Sequence, residues 1–386
     1  MIPIPFDYET LRIVWWVLLG VLLIGLAVMD GFDMGVAFLN PILGRTDSER
    51  RIILNTVGPV WDGNQVWLIT GGGAIFAAWP AVYASAFSGF YLAMFLVLMS
   101  LILRPVSFEF RNKFKSNGAR SAWDYALFLS GLVPPLVFGV AFGNLFLGVP
   151  FYLDDFQQPH YIDGYLMSFF HLLSPFALLT GLVSVSMLVA HGAVYLAAKS
   201  TGTVQSRAST TIQIGLLVWV SLFVAGGFWV GHLDGYTITS ELGHNGASNP
   251  LNKTVVVENG VWLRNYQEFP ALYAIPALAI LGAIGASILS KMKRYALAFI
   301  PSGLMVGCTI ATAGIALFPF LMTSSLKPSH SLTVWDASSS QMTLWLMTIA
   351  AVIFVPIVLA YTSWAFNIMR EAISEEFVKK NDKHLY

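Results

Sequence analysis

The chain reads as an all-α, polytopic membrane protein with about nine transmembrane helices, and three observations carry that reading. Of its 386 residues, 56% are hydrophobic and only 11% are charged, with a mean hydropathy of +0.69. A soluble domain is about 45–50% apolar and about 25% charged. The apolar residues gather into runs of about 20 or more, the length that crosses a hydrocarbon core about 30 Å thick. The cations gather as well, into alternate connections between those runs.

Taken in order, the predicted spans lie near 11–36, 54–78, 82–104, 122–147, 168–197, 208–231, 268–290, 295–322 and 341–369. The second is the least apolar, because it contains Asn55, Asp62, Asn64 and Gln65. It still counts as a span, since Val66 to Ala78 alone cannot reach across a bilayer. The N-terminus has no positive region before its first apolar run, so that run is expected to stay as the first helix rather than be cleaved.

Loop cations set the orientation. Arg45, Arg50 and Arg51 follow the first span, and Arg104, Arg111, Lys113, Lys115 and Arg120 follow the third. Lys199 and Arg207 follow the fifth, Lys291, Lys293 and Arg294 the seventh, and Arg370, Lys379, Lys380 and Lys383 the last. These are seventeen of the 21 Lys and Arg; the opposite side holds Arg12, Lys253, Arg264 and Lys327. The N-terminus is therefore expected in the periplasm and the C-terminus in the cytoplasm, with an odd number of spans. The whole of 1–386 reads as a single integral membrane domain. Its longest connection, 232–267, is a polar periplasmic loop, of a length more often a cover or partner contact than slack.

A zero formal charge with no basic stripe excludes nucleic acid as a partner. The lone Cys308 excludes an internal disulfide or a cysteine-built cluster and reads as a packed thiol. Walker, zincin and nucleophile-elbow motifs are absent. Gly71-Gly72-Gly73 lies within a span and reads as close helix contact. Gly139 and Gly143 form a small-residue packing face, and Asn144 suits a hydrogen bond between helices. Asp124 reads as a charge at a helix N-terminus. Trp335-Asp336 faintly echoes Trp61-Asp62, at a spacing that chance explains.

The candidate site is a row of carboxylates. Asp62 lies about 12 Å into the second span at a rise of 1.5 Å per residue, near mid-membrane. A carboxylate there costs several kcal/mol unless paired or wetted, estimated at roughly 2.5–3.5 kcal/mol on insertion scales. Asp30 and Asp33 close the first span, placing them at the cytoplasmic mouth and on one helix face if the helix continues. Asn55, Asp62 and Gln65, spaced by seven and three, share a face of the second span. That stagger suits proton movement inward from the cytoplasm, with amides bridging the gaps; the bland alternative is that Asp62 only locks packing. Of the seven histidines, only His171 and His191 fall within spans. Either could serve as an axial haem ligand, but packing is the preferred reading. No internal repeat is visible, which weighs against a proton-coupled transporter, the chief rival class.

These residues resemble those of the subunit II family of cytochrome bd ubiquinol oxidases. The resemblance rests on D-G-F-D-M-G at 30–35, W-D-G-N-Q-V-W at 61–67, F-A-A-W-P at 76–80, F-S-G-F-Y at 87–91 and R-P-V at 104–106. G-V-A-F-G-N at 139–144, S-N-P-L-N-K at 248–253, T-A-G-I-A-L-F-P-F at 312–320 and W-D-A-S-S-S-Q at 335–341 extend it over essentially the whole chain. It implies a heterodimeric respiratory oxidase of the bacterial inner membrane, electrogenic without pumping. In it a haem-bearing subunit I oxidises quinol and holds the ligands of haem b and haem d. The family's subunit II supports the assembly, can hold a ubiquinone, and contributes a proton route. Small single-helix accessory subunits join some such assemblies. Asp62, beside Trp61 and Asn64, matches the family's aspartate assigned to that route, with Asp30, Asp33, Asn55 and Gln65 around it.

Overall fold

The computed structural model describes residues 4–162 and 164–380; Lys383, one of the predicted tail cations, lies outside them. Fourteen α-helices form the described chain. They are α1 (Tyr8–Leu43), α2 (Asp47–Val57), α3 (Trp61–Ala78), α4 (Pro80–Gly89), α5 (Tyr91–Phe110), α6 (Asn117–Leu147) and α7 (Tyr165–His171). There follow α8 (Pro175–Lys199), α9 (Gly202–Val230), α10 (Arg264–Glu268), α11 (Ala274–Lys291), α12 (Tyr295–Leu317), α13 (Gln341–Ile368) and α14 (Glu375–Lys380). Among the described residues, eight helical stretches are long and apolar enough to cross a membrane: those of α1, α5, α6, α8, α9, α11, α12 and α13.

The predicted second span is where the count of nine departs. It is not one helix but two, α2 and α3, separated by a turn at 58–60. Pro59 explains the break: without an N–H it cannot continue the helical ladder, and Val60 bonds back only to Val57 (2.9 Å). The remaining helix, α3, has 18 residues, about 27 Å, with its polar residues at its start. The predicted third span is split likewise. Pro80 begins α4, and a second break at Phe90 leaves α5 to run from Tyr91 well past residue 104, through Pro105. Arg104, counted above as a loop cation, is inside that helix. The predicted fifth span begins only at Pro175, which leaves His171 at the end of the short α7.

The connections sort onto two ends of the bundle. One, the basic end, holds α2, the turn between α5 and α6, the α8–α9 and α11–α12 turns, and α14. At the other, the loop end, three antiparallel two-stranded sheets close the connections. Phe151–Leu153 (β1) pairs with Pro159–Tyr161 (β2), and Asp234–Ile238 (β3) with Val255–Asn259 (β4). Phe320–Met322 (β5) pairs with Leu332–Thr333 (β6). The predicted polar loop 232–267 is thus a β-hairpin whose tip folds onto α1. There the buried Arg12 guanidinium donates to Ser338 Oγ (2.8 Å), to Ser248 Oγ (2.9 Å) and to the carbonyls of His244 and Gly246. Lys253 and Asp336 make a buried ion pair at 2.8 Å beside it. Burial among apolar neighbours, partly offset by that carboxylate, holds the Lys253 ammonium below its usual range. Asp336 therefore has a loop-end structural role with no counterpart at Asp62.

Close backbone contacts set how the long helices seat. A Cβ on Gly35 would fall 2.1 Å from the Leu188 carbonyl, and one on Gly192 2.7 Å from Gly35, so α1 and α8 cross backbone to backbone. Gly139 and Gly143 seat α6 on α8 at Gly181 and Ala177, as the small-residue spacing predicts. Asn144 donates to the Leu172 carbonyl at 2.9 Å. Gly71, Gly72 and Gly73 differ from the expectation: an added Cβ at any of them meets nothing within 4 Å.

Candidate functional site

α1 continues ten residues beyond Asp33, so neither acidic residue closes a helix. Their i, i+3 spacing does put both side chains on one face, as predicted, and that face is buried: Asp30 is 0% and Asp33 2% exposed. A buried carboxylate needs a partner. Asp30 finds Arg104 of α5, whose Nη1 lies 2.5 Å from Oδ1. Asp33 Oδ2 accepts from Asn64 Nδ2 of α3 at 2.8 Å. One arginine thus faces two carboxylates, and the trio is neutral when it holds one proton. Among the described residues, Asp30 Oδ2, Asp33 Oδ1, Arg104 Nε and Arg104 Nη2 have no hydrogen-bond partner.

The other predicted members stand apart from this pair. Asp62 is exposed, in the first turn of α3 and on its outward surface, with Gly63 and Val66 also exposed. Because α1 and α3 run antiparallel with Asn64 against Asp33, Asp62 lies nearer the basic end than Asp33. The expected stagger is therefore reversed, and Asp62 is not the deepest carboxylate. Asn55 is buried in α2, its Nδ2 donating to the Arg51 carbonyl (2.7 Å); the break at Pro59 removes the continuous face it was predicted to share with Asp62 and Gln65. Gln65 is half-buried. Trp61 stacks on Phe108, with ring centroids 5.4 Å apart and planes at 6°, which locks the head of α3 to α5.

A second buried carboxylate centre lies toward the basic end, and the sequence reading missed it. Asp124, 0% exposed, is in the second turn of α6 rather than at its first residue. Arg111 Nε donates to Oδ1 at 2.6 Å, Arg50 Nη1 to Oδ2 at 2.7 Å, and Asn40 Nδ2 to Oδ1 at 3.0 Å. Arg111 reaches on to Asp47 at 2.9 Å. Arg50, Arg104 and Arg111 look like loop charges in sequence. For Arg104, the available signal was its place within an unbroken apolar run before Pro105. Glu49 completes the basic end. It caps α2 with Thr46, accepts from Arg207 at 2.8 Å and takes the Thr203 hydroxyl at 2.8 Å. The Arg207 hydrogen bond, with those other donors, holds its carboxyl down at about 2 against an ordinary 4.5.

His191 is fully buried, stacked on Phe299 at 4.7 Å. Its Nε2 faces the Val28 carbonyl at 3.0 Å and its Nδ1 the Ser302 hydroxyl at 2.6 Å. A carbonyl only accepts, so Nε2 carries the proton and Nδ1 accepts from Ser302. Both ring nitrogens are committed to packing, which does not fit an axial haem ligand. Among the described residues, no group of three or more His, Cys, Asp or Glu is placed to hold a metal ion.

Residues 11–369 match the family model described as cytochrome bd terminal oxidase subunit II. Over 381 residues the chain is 51% identical to the cytochrome bd-I ubiquinol oxidase subunit 2 of Escherichia coli K12, covering 98% of this chain and 100% of that one. It is 52% identical over 380 residues to the probable cytochrome oxidase subunit 2 of Haemophilus influenzae, with the same two coverages. Against the cytochrome bd ubiquinol oxidase subunit 2 of Bacillus subtilis it is 31% identical over 368 residues, covering 95% of this chain and 98% of the relative. A chain of the bd oxidase from Geobacillus thermodenitrificans shares the fold at TM-score 0.69 and 16% identity, covering 93% of this chain and 98% of that one.

Proposed function

Because the chain belongs to the cytochrome bd terminal oxidase subunit II family, we propose that it works beside a haem-bearing subunit I in a bacterial inner membrane. In this reading it contributes a proton-uptake path to a quinol oxidase whose redox site lies in the partner. The engaged nitrogens of His191 support assigning the haems to the partner. The positive-inside tendency puts the basic end in the cytoplasm.

The observation that carries the proton role is the exposed Asp62 at the head of α3. A carboxylate facing outward from a membrane helix is stable only against water or a polar partner surface. Beyond it the outward stripe of α3 continues through Val66, Ile69 and Phe76, all more than half exposed, past the smooth Gly72 and Gly73. That stripe is the face offered to subunit I, and Asp62 is the proton entry at its cytoplasmic end. Two residues on, Asn64 holds Asp33, the carboxylate without an arginine of its own and so the member of the buried pair suited to hold the proton. Gln65, three residues after Asp62 on α3, is a polar neighbour of this entry, and the buried Asn55 lies on α2 before the break. Arg104 of α5 pairs with Asp30 of α1, which fixes the position of one helix against the other.

The test is Asp62→Asn in the purified complex. Quinol-supported oxygen uptake is expected to fall about tenfold or more with haem content unchanged, in line with losses of about 10²–10⁴ for removed proton-transfer groups. Proton uptake in proteoliposomes should fall in parallel. A fully assembled variant with the parental turnover would make Asp62 structural, and loss of haem would make its role one of assembly.

A further inference from the structure

We propose that the α11–α12 turn binds the headgroup of an anionic phospholipid. Three cations within four residues carry the argument: Lys291 ends α11, Lys293 lies in the turn, and Arg294 precedes α12, all exposed. The other arginines of the basic end are largely spent on carboxylates. Arg50 and Arg111 pair with Asp124, Arg120 with Asp47, Arg207 with Glu49. Among the described residues, the three cations of this turn have no such partner.

Backbone geometry gives a second, independent sign. The end of α11 is a Schellman motif: Arg294 N–H bonds to the Leu289 carbonyl and Lys293 N–H to that of Ser290, each at 2.9 Å. The residue following the cap must then be left-handed, and here it is Lys293 at φ 58°. Glycine fits that conformation without steric strain, whereas lysine adopts it only at a steric cost. A simple orientation signal needs positive charge somewhere in the loop, not at its one strained position.

The surface beneath the turn matches the rest of a lipid. Leu281, Ile284 and Ile288 are each about half exposed or more and are spaced by three and four, and Lys291 continues their row three residues on. An exposed apolar stripe therefore runs along α11 straight into the cation cluster. Acyl chains would lie along the stripe, with the phosphate among the three cations.

The purified complex, delipidated in neutral detergent, is titrated with short-chain phosphatidylglycerol, and in parallel with short-chain phosphatidylcholine and sodium phosphate at matched ionic strength. The melting temperature is followed in each. Phosphatidylglycerol is expected to raise it in the parental complex. K291Q/K293G/R294Q should need at least about tenfold more for the same rise, since each cation near an anionic surface is worth about fivefold. The phosphatidylcholine response should not change. Lys293→Gly alone should melt no lower than the parent without lipid, yet need more phosphatidylglycerol; it carries the test if the triple variant fails to accumulate. Unchanged phosphatidylglycerol titrations in the variants would overturn the proposal. So would free phosphate acting as well as the lipid, or Lys293→Gly melting lower without lipid.

Discussion

Asp124 and the Asp30–Asp33 pair are all buried, the pair on α1 and Asp124 bonded to Asn40 of α1, and each centre has an arginine, yet their surroundings differ in kind. Asp124 has two arginines and an asparagine on its two oxygens, and one of those arginines extends to Asp47. Asp30 and Asp33 share one arginine and one asparagine among four oxygens. A saturated carboxylate has nothing further to accept and holds helices together. A pair short of donors has room for a proton. The difference teaches that burial of an acid marks a centre, while its donor count says whether the centre is a clamp or a reactive group.

The largest expected effect is at the clamp. Asp124→Ala leaves Arg50 and Arg111 facing an uncompensated pocket, and removing one member of a buried charge cluster costs about 3–5 kcal/mol. The complex should then fail to accumulate, or melt far below the parent, by thermal scanning of the purified oxidase. A parental melt would dissolve the contrast between the two centres. At the donor-poor pair, Asp33→Asn is nearly isosteric and can still meet Asn64 through its carbonyl oxygen. Stability should move by less than about 1.5 kcal/mol, the worth of a typical hydrogen bond, while oxygen uptake falls severalfold with haem retained. Equal losses of stability in the two variants would show that Asp33 is a clamp as well.

The smallest effect is at Glu49, where the same arginine–carboxylate chemistry sits at the edge of the protein. Its folded value of about 2 lies below the ordinary 4.5, so its contribution is full above about 4.5 and is lost as pH falls through about 2. Glu49→Gln should therefore lower the melting temperature at pH 6 by an amount worth less than about 1 kcal/mol. The gap to the parent should close as the buffer is taken from pH 4.5 toward 2. A pH-independent gap would assign the loss to the capping box rather than to the ion pair.

Much of this was legible before any fold was known, and the misses have definite causes. Long apolar runs mark α1, α6, α8 and α13 because crossing a bilayer is a local demand on composition. The break at Pro59 is legible too, but the 13 residues from Val66 to Ala78 are too short to cross a bilayer alone, which favours a longer span. Arg104 and Arg111 look like loop cations in sequence because charge alone does not say whether a partner waits in another helix. Asp30 and Arg104 are 74 positions apart, and Asp33 meets Asn64 across a broken helix. Neither spacing repeats any local pattern.

By itself the sequence determined the class, the family and the sorting of charge to one end of the bundle. Each of these is a sum over residues, or a string of adjacent ones. The tertiary structure alone decided that Asp33 faces Asn64 while Asp62 faces outward, and that Asp124 is a clamp. Those outcomes depend on how the helices are rotated and how far each slides along its neighbour. Backbone contacts such as Gly35 against Leu188 and Gly192 set that seating, and a shift of one residue turns a helical side chain by about 100° away from its partner.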